Sequence, residues 1–205
     1  MEKLLIFPFN GNGLEALDCL GKNFELIGFI DDTKEKQEKN KLGFEVFSRA
    51  FIKKFHEAKI LAVPGSPTSY HIRKRIILEL KIPKKRFAQV IHPSAKISPF
   101  AKIGNNVLIM AGVVITSNAV IGNNVCILPN TVIHHDTEIG DYTLIGSNVT
   151  IAGNTKIGKN CYIGSGTSII NNIEIGDKTL IGMGTNVIKS LPKNSKVVGN
   201  PARQL

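Results

Sequence analysis

The sequence predicts a small Rossmann-like α/β domain with a parallel sheet over residues 1–90, followed by a parallel β-helix of hexapeptide repeats over residues 91–205. Two observations carry the prediction. From Ile91 to Val187 every sixth residue is Ile or Val, seventeen positions in a row without a slip of register. Ahead of that run, short apolar stretches alternate with helix-like and glycine-rich segments, the pattern of strands and crossovers in a parallel sheet.

The first unit reads in order as follows. Lys3–Phe9 is an apolar β run, and Asn10-Gly11-Asn12-Gly13 closes it as a loop. A helical segment follows with Leu14, Leu17 and Leu20 on one side. Phe24–Ile30 is a second strand ending in Asp31-Asp32, and Thr33–Lys41 is polar, a loop or a frayed helix. Ser48–Ala58 is expected to be helical, Lys59–Val63 a third buried strand closed by Pro64-Gly65-Ser66. Residues 69–81 are expected as a helix with Ile72, Ile76, Ile77 and Leu80 on one face, and Phe87–Ile91 as a last strand leading into the repeats. Ligands of such sheets bind beyond the carboxyl ends of the strands. Here those ends carry Asn10–Gly13, Asp31-Asp32 and Gly65.

A period of six matches neither the 3.6 residues of a helix nor a plain two-residue alternation. It marks a β-helix in which each unit makes one short strand and one turn, and three units close a triangular coil. The aliphatic residue of each unit then stacks on its equivalent one coil below. The next residue is often Gly (Gly104, Gly122, Gly140, Gly158, Gly176), where backbones approach closely. Four residues after the aliphatic the side chain is small or β-branched, as in Val107, Ala119, Thr131, Thr143, Cys161 and Thr185, and is expected to point inward. Asn and Asp fill many turns. Coils of 18 residues spaced about 4.8 Å apart make the prism roughly 27 Å long.

Composition narrows the function. No apolar run approaches the ~20 residues of a membrane span, and Met1–Ile6 is too short for a signal peptide. The expectation is a cytoplasmic protein. Three scattered cysteines, Cys19, Cys126 and Cys161, fit a reducing compartment and read as buried fillers. The net charge of +10 is compatible with polyanionic partners. With no Trp and no basic block longer than Lys84-Lys85-Arg86, phosphorylated small molecules explain it better than nucleic acid.

One repeat differs from the others: Ile133-His134-His135-Asp136-Thr137-Glu138. A histidine can take a proton from an attacking amine or hydroxyl, and an adjacent carboxylate can fix its tautomer. One coil further lies Gly153, in Ala152-Gly153-Asn154, whose backbone N–H could meet a ligand carbonyl. The plainer reading makes both histidines ordinary turn residues. A zinc site is disfavoured, because three protein ligands are needed and His56, His71 and His92 lie in or near the other unit; no metal is expected. The Asn10–Gly13 stretch either offers amide groups and a helix start to a phosphate or is a turn needing glycine. Asp31 and Asp32 either accept hydrogen bonds from a nucleotide or form a solvated turn.

These residues together resemble the bacterial sugar acetyltransferases of the sialic acid O-acetyltransferase type. Most similar are the N-acetyltransferases of nucleotide-linked 4-amino-4,6-dideoxy sugars, as in the bacillosamine, viosamine and perosamine pathways. The resemblance runs through Ile91-His92-Pro93-Ser94-Ala95, Met110–Ile115, Val132–Asp136, Ala152–Gly158 and Val198–Arg203. It implies a left-handed β-helix, a homotrimer with active sites between subunits, acetyl-CoA along the coils, and a nucleotide sugar on the N-terminal domain. It implies His135 as general base, Asp136 as its partner, and acetyl-CoA contacts at Gly153, Ala152, Ser165, Lys189 and Arg203. It implies nucleotide-sugar contacts at Asn10, Gly11, Asn12, Gly13, Asp31, Asp32 and Gly65. Lys189 and Arg203 either meet CoA phosphates or solubilise a capping tail. In three places the chain departs from the family: Asn10 and Asn12 replace Ser and His, Leu128 stands for an Asn, and Leu144 stands for a second His.

The expected reaction is N-acetylation of the 4-amino group by direct attack on the thioester. Two alternatives remain at this level, an O-acetyltransferase of a sialic-type sugar and a non-catalytic β-helix that senses a ligand.

Overall fold

The computed structural model describes residues 1–38 and 42–205. The first unit contains β1 (Glu2–Phe7), α1 (Gly11–Glu15), β2 (Phe24–Ile30), α2 (Lys34–Glu38), β3 (Val46–Phe47), β4 (Lys59–Ala62) and α3 (Arg73–Leu78). Its four strands form a parallel sheet in the order β3-β2-β1-β4. Leu4 and Ile6 face one side of β1 and Leu5 and Phe7 the other, and all are buried. This is why β1 reads as a continuous apolar run rather than an alternating one.

The structure shortens the expected helices. The segment after the Asn10 turn is α1 followed by a 3-10 turn at Ala16–Cys19. Residues 39–41 of the polar stretch lie outside the described residues, and α2 occupies 34–38. The expected helix over 48–58 is a 3-10 turn, Arg49–Lys53, followed by irregular turns. Its physical reason is tertiary. Phe51 and Phe55 fold back onto Phe47, and the Arg86 guanidinium donates to the carbonyls of Phe55 (2.8 Å) and Ala58 (3.0 Å). The Phe55 carbonyl also accepts from Ala58 N at 2.9 Å, a tight turn rather than a continued helix, and the part-buried Arg86 caps the end of the segment. The helix expected over 69–81 is split into a 3-10 turn, Tyr70–Ile72, and α3. Short β3 was not expected from the sequence.

The last strand, β5, is Gln89–Ile91. It pairs with Val107–Ile109 and so starts a face of the prism rather than extending the first sheet. From there the chain winds as a left-handed parallel β-helix with three faces, of five, six and eight strands. Equivalent residues eighteen apart pair in register, for example Ile133 with Ile151 and Ile139 with Ile157. From Ile109 onward the aliphatic column fills the interior with side chains almost without solvent exposure, while Ile91, Ile97 and Ile103 in the first coil are partly buried. Burying each such side chain is worth roughly 1.5–3 kcal/mol. The threonines four residues on are fully buried too. Thr131 Oγ1 donates to Gly146 O at 2.7 Å and Thr143 Oγ1 to Gly158 O at 3.0 Å, so the buried hydroxyls are satisfied. At Gly140 an added Cβ would stand 2.5 Å from the carbonyl carbon of Gly158, which is why glycine holds that position.

The outward-facing residue before each aliphatic distinguishes the three faces. On the eight-stranded face it is Val90, Leu108, Cys126, Leu144, Tyr162 and Leu180. The N-terminal unit covers this apolar strip, packing Leu4, Phe29, Leu61, Val63 and Tyr70 against it. The five-stranded face instead presents Lys102, Val120, Glu138, Lys156 and Glu174. Polar contacts fix the docking. Asn106 Oδ1 accepts from Ala62 N (2.7 Å) and its Nδ2 donates to Ala62 O (2.9 Å), continuing the edge of β4 into the prism. Arg73, fully buried, donates from Nε to Pro64 O (2.6 Å) and from Nη1 to Asn124 O.

Candidate active site

His135 and Asp136 sit in the turn between Val132–Ile133 and Glu138–Ile139, at the corner where the six-stranded and five-stranded faces meet. Asp136 adopts the left-handed conformation of this turn (φ 58°), which Asn and Asp tolerate better than other side chains. From there its Oδ2 lies 2.8 Å from His135 Nδ1. Asn118, one coil below, donates from Nδ2 to the other carboxylate oxygen at 3.0 Å. These hydrogen bonds, from His135 first and Asn118 second, hold the Asp136 carboxyl below its ordinary range. His135 is half exposed, and its free Nε2 edge lies against Gly153 of the next coil. A Cβ added at Gly153 would come within 2.6 Å of both Cε1 and Nε2. Glycine is therefore what lets the ring lie in this position.

The Gly153 N–H makes no hydrogen bond among the described residues, although the residue is buried. The amides on either side are taken: Ala152 N donates to Ile169 O (3.0 Å) and Asn154 N to His135 O (3.0 Å). One bare donor thus stands next to the imidazole. Such a donor can give a hydrogen bond to the lone pair of a developing oxyanion. His134, beside it, has its backbone N–H bonded to Ile151 O and shows no side-chain partner among the described residues.

The structure spreads the remaining expected acetyl-CoA residues over the prism. Lys189 is exposed and follows the Asn186–Val187 strand, 54 residues beyond His135 on the same corner. Three coils at about 4.8 Å each set it roughly 14 Å along the axis. Ser165 belongs to a different corner, where its Oγ accepts from Ser147 N at 3.1 Å. Arg203 lies in the exposed strand Arg203–Gln204, antiparallel to Lys196–Val198 at the end of the eight-stranded face.

At the carboxyl ends of β1, β2 and β4 the expected nucleotide-sugar residues do converge, but several are already engaged. Asn10 is the N-cap of α1 and accepts from Gly13 N at 2.9 Å, so the glycine-rich stretch begins a helix instead of a loop. The amides of Gly11 and Asn12 have no partner among the described residues. An added Cβ at Gly11 would meet nothing within 4 Å, so this surface is open. Asp31 is buried and its Oδ2 lies 2.6 Å from Lys36 Nζ, which also donates to Phe9 O at 2.8 Å. Burial raises the Asp31 pKa, but the Lys36 and Thr33 hydrogen bonds outweigh it and hold it low. Asp32 is exposed, accepts from Arg49 N at 2.8 Å, and has Arg49 Nε 2.6 Å away as an ion pair off hydrogen-bond alignment. Gly65, at φ +126°, is held by packing: a Cβ would stand 2.8 Å from Leu144 Cδ1.

Sequence reasoning missed Lys36, Arg49, Asn118 and Arg73. Only Asn118 had a usable signal, since it precedes Asp136 by one coil of 18. A cavity of about 790 Å³ lies elsewhere, between α3 and the corner of Asp141, Lys159 and Asp177. It contains no His135, and the dyad geometry rather than cavity size marks the site. Among the described residues no three His, Cys, Asp or Glu side chains are grouped to hold a metal ion. No helix among them is long and apolar enough to cross a membrane.

Residues 118–153 and 154–189 match the family described as bacterial transferase hexapeptide (six repeats). No curated protein matches the chain significantly. Among solved structures, the acetyltransferase domain of PglB from Neisseria gonorrhoeae FA1090 is 25% identical with a TM-score of 0.86, covering 100% of both chains. The same domain in complex with acetyl coenzyme A is 26% identical with a TM-score of 0.85, over 100% of this chain and 99% of that one. WeeI from Acinetobacter baumannii AYE is 25% identical with a TM-score of 0.85, over 100% of both. PerB from Caulobacter crescentus, in complex with CoA and GDP-perosamine, is 23% identical with a TM-score of 0.86, over 100% of this chain and 97% of that one, and shares the fold. The resemblance read from the sequence therefore holds for the hexapeptide coils and for the two-unit architecture.

Proposed function

We propose that this chain is an acetyl-CoA-dependent N-acetyltransferase of the 4-amino group of a nucleotide-linked 4-amino-4,6-dideoxy sugar. Residues 1–90 hold the nucleotide sugar and the coils of 91–205 hold acetyl-CoA. The observation that carries the reading is the His135–Asp136 pair facing the unbonded N–H of Gly153.

The chemistry follows from that arrangement. With Nδ1–H donated to Asp136, His135 Nε2 is the free base. The sugar amine attacks the thioester carbonyl, its proton passes to Nε2, and the oxyanion of the tetrahedral intermediate accepts from Gly153 N–H. Collapse breaks the carbon–sulfur bond. The imidazolium returns its proton to the departing thiolate, giving the amide and free CoA. Because both substrates meet at one base, no acyl-enzyme is required.

The site needs more than one subunit. The N-terminal unit covers the eight-stranded face, whereas His135 lies at the corner opposite that face. A sugar nucleotide held by one chain's first unit is on the wrong side of the prism for the same chain's base. A homotrimer that sets the corner of one prism beside the N-terminal unit of its neighbour resolves this. Acetyl-CoA and nucleotide sugars are both cytoplasmic metabolites, and the enzyme belongs in that compartment.

The test is a panel of nucleotide-linked 4-amino sugars and free sialic acids incubated with acetyl-CoA, following thiol release. Turnover of an amine acceptor supports the reading, and turnover of hydroxyl acceptors only overturns it. In the same assay His135→Ala should lower kcat by about 10²–10⁴-fold while leaving the circular dichroism spectrum unchanged.

A further inference from the structure

We propose that Asn118 is a positioning residue that acts through Asp136 to hold the tautomer of His135; this rests on the acetyltransferase reading above. Fourteen successive turns, from Asn106 to Gly184, place one residue each in the left-handed region. Eight of these are Asn, three Gly, and the others are Asp136, Tyr142 and Lys178. Asp136 is thus the one carboxylate in the ladder, and it stands beside His135. In its own column it is flanked by Asn118 below and Asn154 above.

Asn and Asp have nearly the same shape and share a tolerance for this backbone. Exchanging Asn for Asp at one rung therefore changes charge and hydrogen-bonding sense with little change in fold. The rung below keeps the amide, and its geometry is directional. Asn118 Nδ2 donates to Asp136 Oδ1 at 3.0 Å, and Asp136 Oδ2 faces His135 Nδ1 at 2.8 Å. Each carboxylate oxygen is engaged by a different donor, so the carboxylate plane cannot rotate without breaking one contact. Because a carboxylate only accepts, His135 must carry its proton on Nδ1 to complete the chain. That leaves Nε2 unprotonated on the Gly153 side, where the attacking amine must deliver its proton. Among the described residues nothing else fixes the Asp136 rotamer: the group is exposed, and its side chain is bonded by Asn118 and His135 alone.

The experiment uses the full chain labelled with ¹⁵N-histidine, with His135 assigned by its disappearance in His135→Ala. The wild type is expected to show His135 as the Nδ1–H tautomer. Asn118→Gly keeps the backbone conformation and removes the amide. It should shift His135 toward the Nε2–H tautomer that free imidazole prefers in water. It should also lower kcat roughly ten- to hundredfold, the usual effect of a slightly misplaced reacting group, with KM for acetyl-CoA changed by less than about twofold. Asn118→Asp tolerates the same turn but faces Asp136 with a second acceptor, and should lose at least as much. Asn148→Gly, the same exchange in a turn on another corner, should match the wild type in both readouts. An Asn118→Gly protein with the wild-type tautomer and wild-type kcat overturns the inference. Should the wild type release no CoA with any acceptor while the tautomer still shifts on Asn118→Gly, the relay stands and the acetyltransferase reading fails instead.

Discussion

Gly153 shows how one missing side chain links the backbone to the chemistry. The position is glycine because the His135 ring occupies the volume a Cβ would take, at 2.6 Å. Gly153→Ala should therefore fold, since the methyl points at a half-exposed ring that can swing away rather than at backbone. It should nevertheless lower kcat by about a hundredfold, because the displaced imidazole no longer lies beside the N–H. Steady-state kinetics beside a thermal melt checks both halves of that expectation. Gly140 offers the contrast: there the methyl would strike the backbone of Gly158, and substitution harms the fold instead.

The end of β2 shows how an element can be stabilised by groups that sequence reasoning assigned to a ligand. Asp31 is held below the ordinary carboxylate range, burial opposing and the Lys36 and Thr33 hydrogen bonds prevailing. A carboxyl with a depressed folded-state pKa adds stability that is fully present above the unfolded value, about 3.9. That stability is lost as the pH falls through the lower folded value. Asp31→Asn should thus be less stable than wild type at pH 7, with the difference shrinking as the pH drops below about 4. Urea unfolding across that range measures it. The same ion pair ties α2 to the ends of β1 and β2 through Lys36, with Phe9 O as its second acceptor.

The arrangement of the two units carries the largest consequence. The N-terminal sheet and the His135 corner lie on opposite sides of one prism, so a shared site predicts complementation between subunits. Gly11→Glu puts a negative charge on the open surface at the start of α1 and should abolish nucleotide-sugar use. His135→Ala removes the proposed base. Each variant alone should be nearly inactive. Co-expressed or refolded together they should recover activity well above the sum of the two, because some mixed trimers contain an intact pair. Absence of recovery, with mixed trimers verified by mass spectrometry, would mean that each site lies within one chain.

The β-helix was legible without coordinates because a six-residue period over seventeen units is a purely local instruction: each unit specifies its own strand, turn and inward side chains. The dyad was legible for the same reason, since His135 and Asp136 are adjacent and Gly153 lies one coil on. The docking face went unread in the sequence, although its signal, the apolar residue before every third aliphatic from Leu108 through Leu180, is there. The short helices of the first unit were not legible, because Arg86, nearly thirty residues beyond Ser48–Ala58, caps the carbonyls where that segment ends and Phe47 gathers its aromatic rings. Tertiary structure alone decided that Asp31 and Asp32 are already paired, that Asn118 donates to Asp136, and that His135 lies on the side of the prism away from the N-terminal unit. Each of these depends on which distant groups are brought within hydrogen-bonding distance, and a periodic pattern encodes the neighbours along its own repeat but not the partners across a fold.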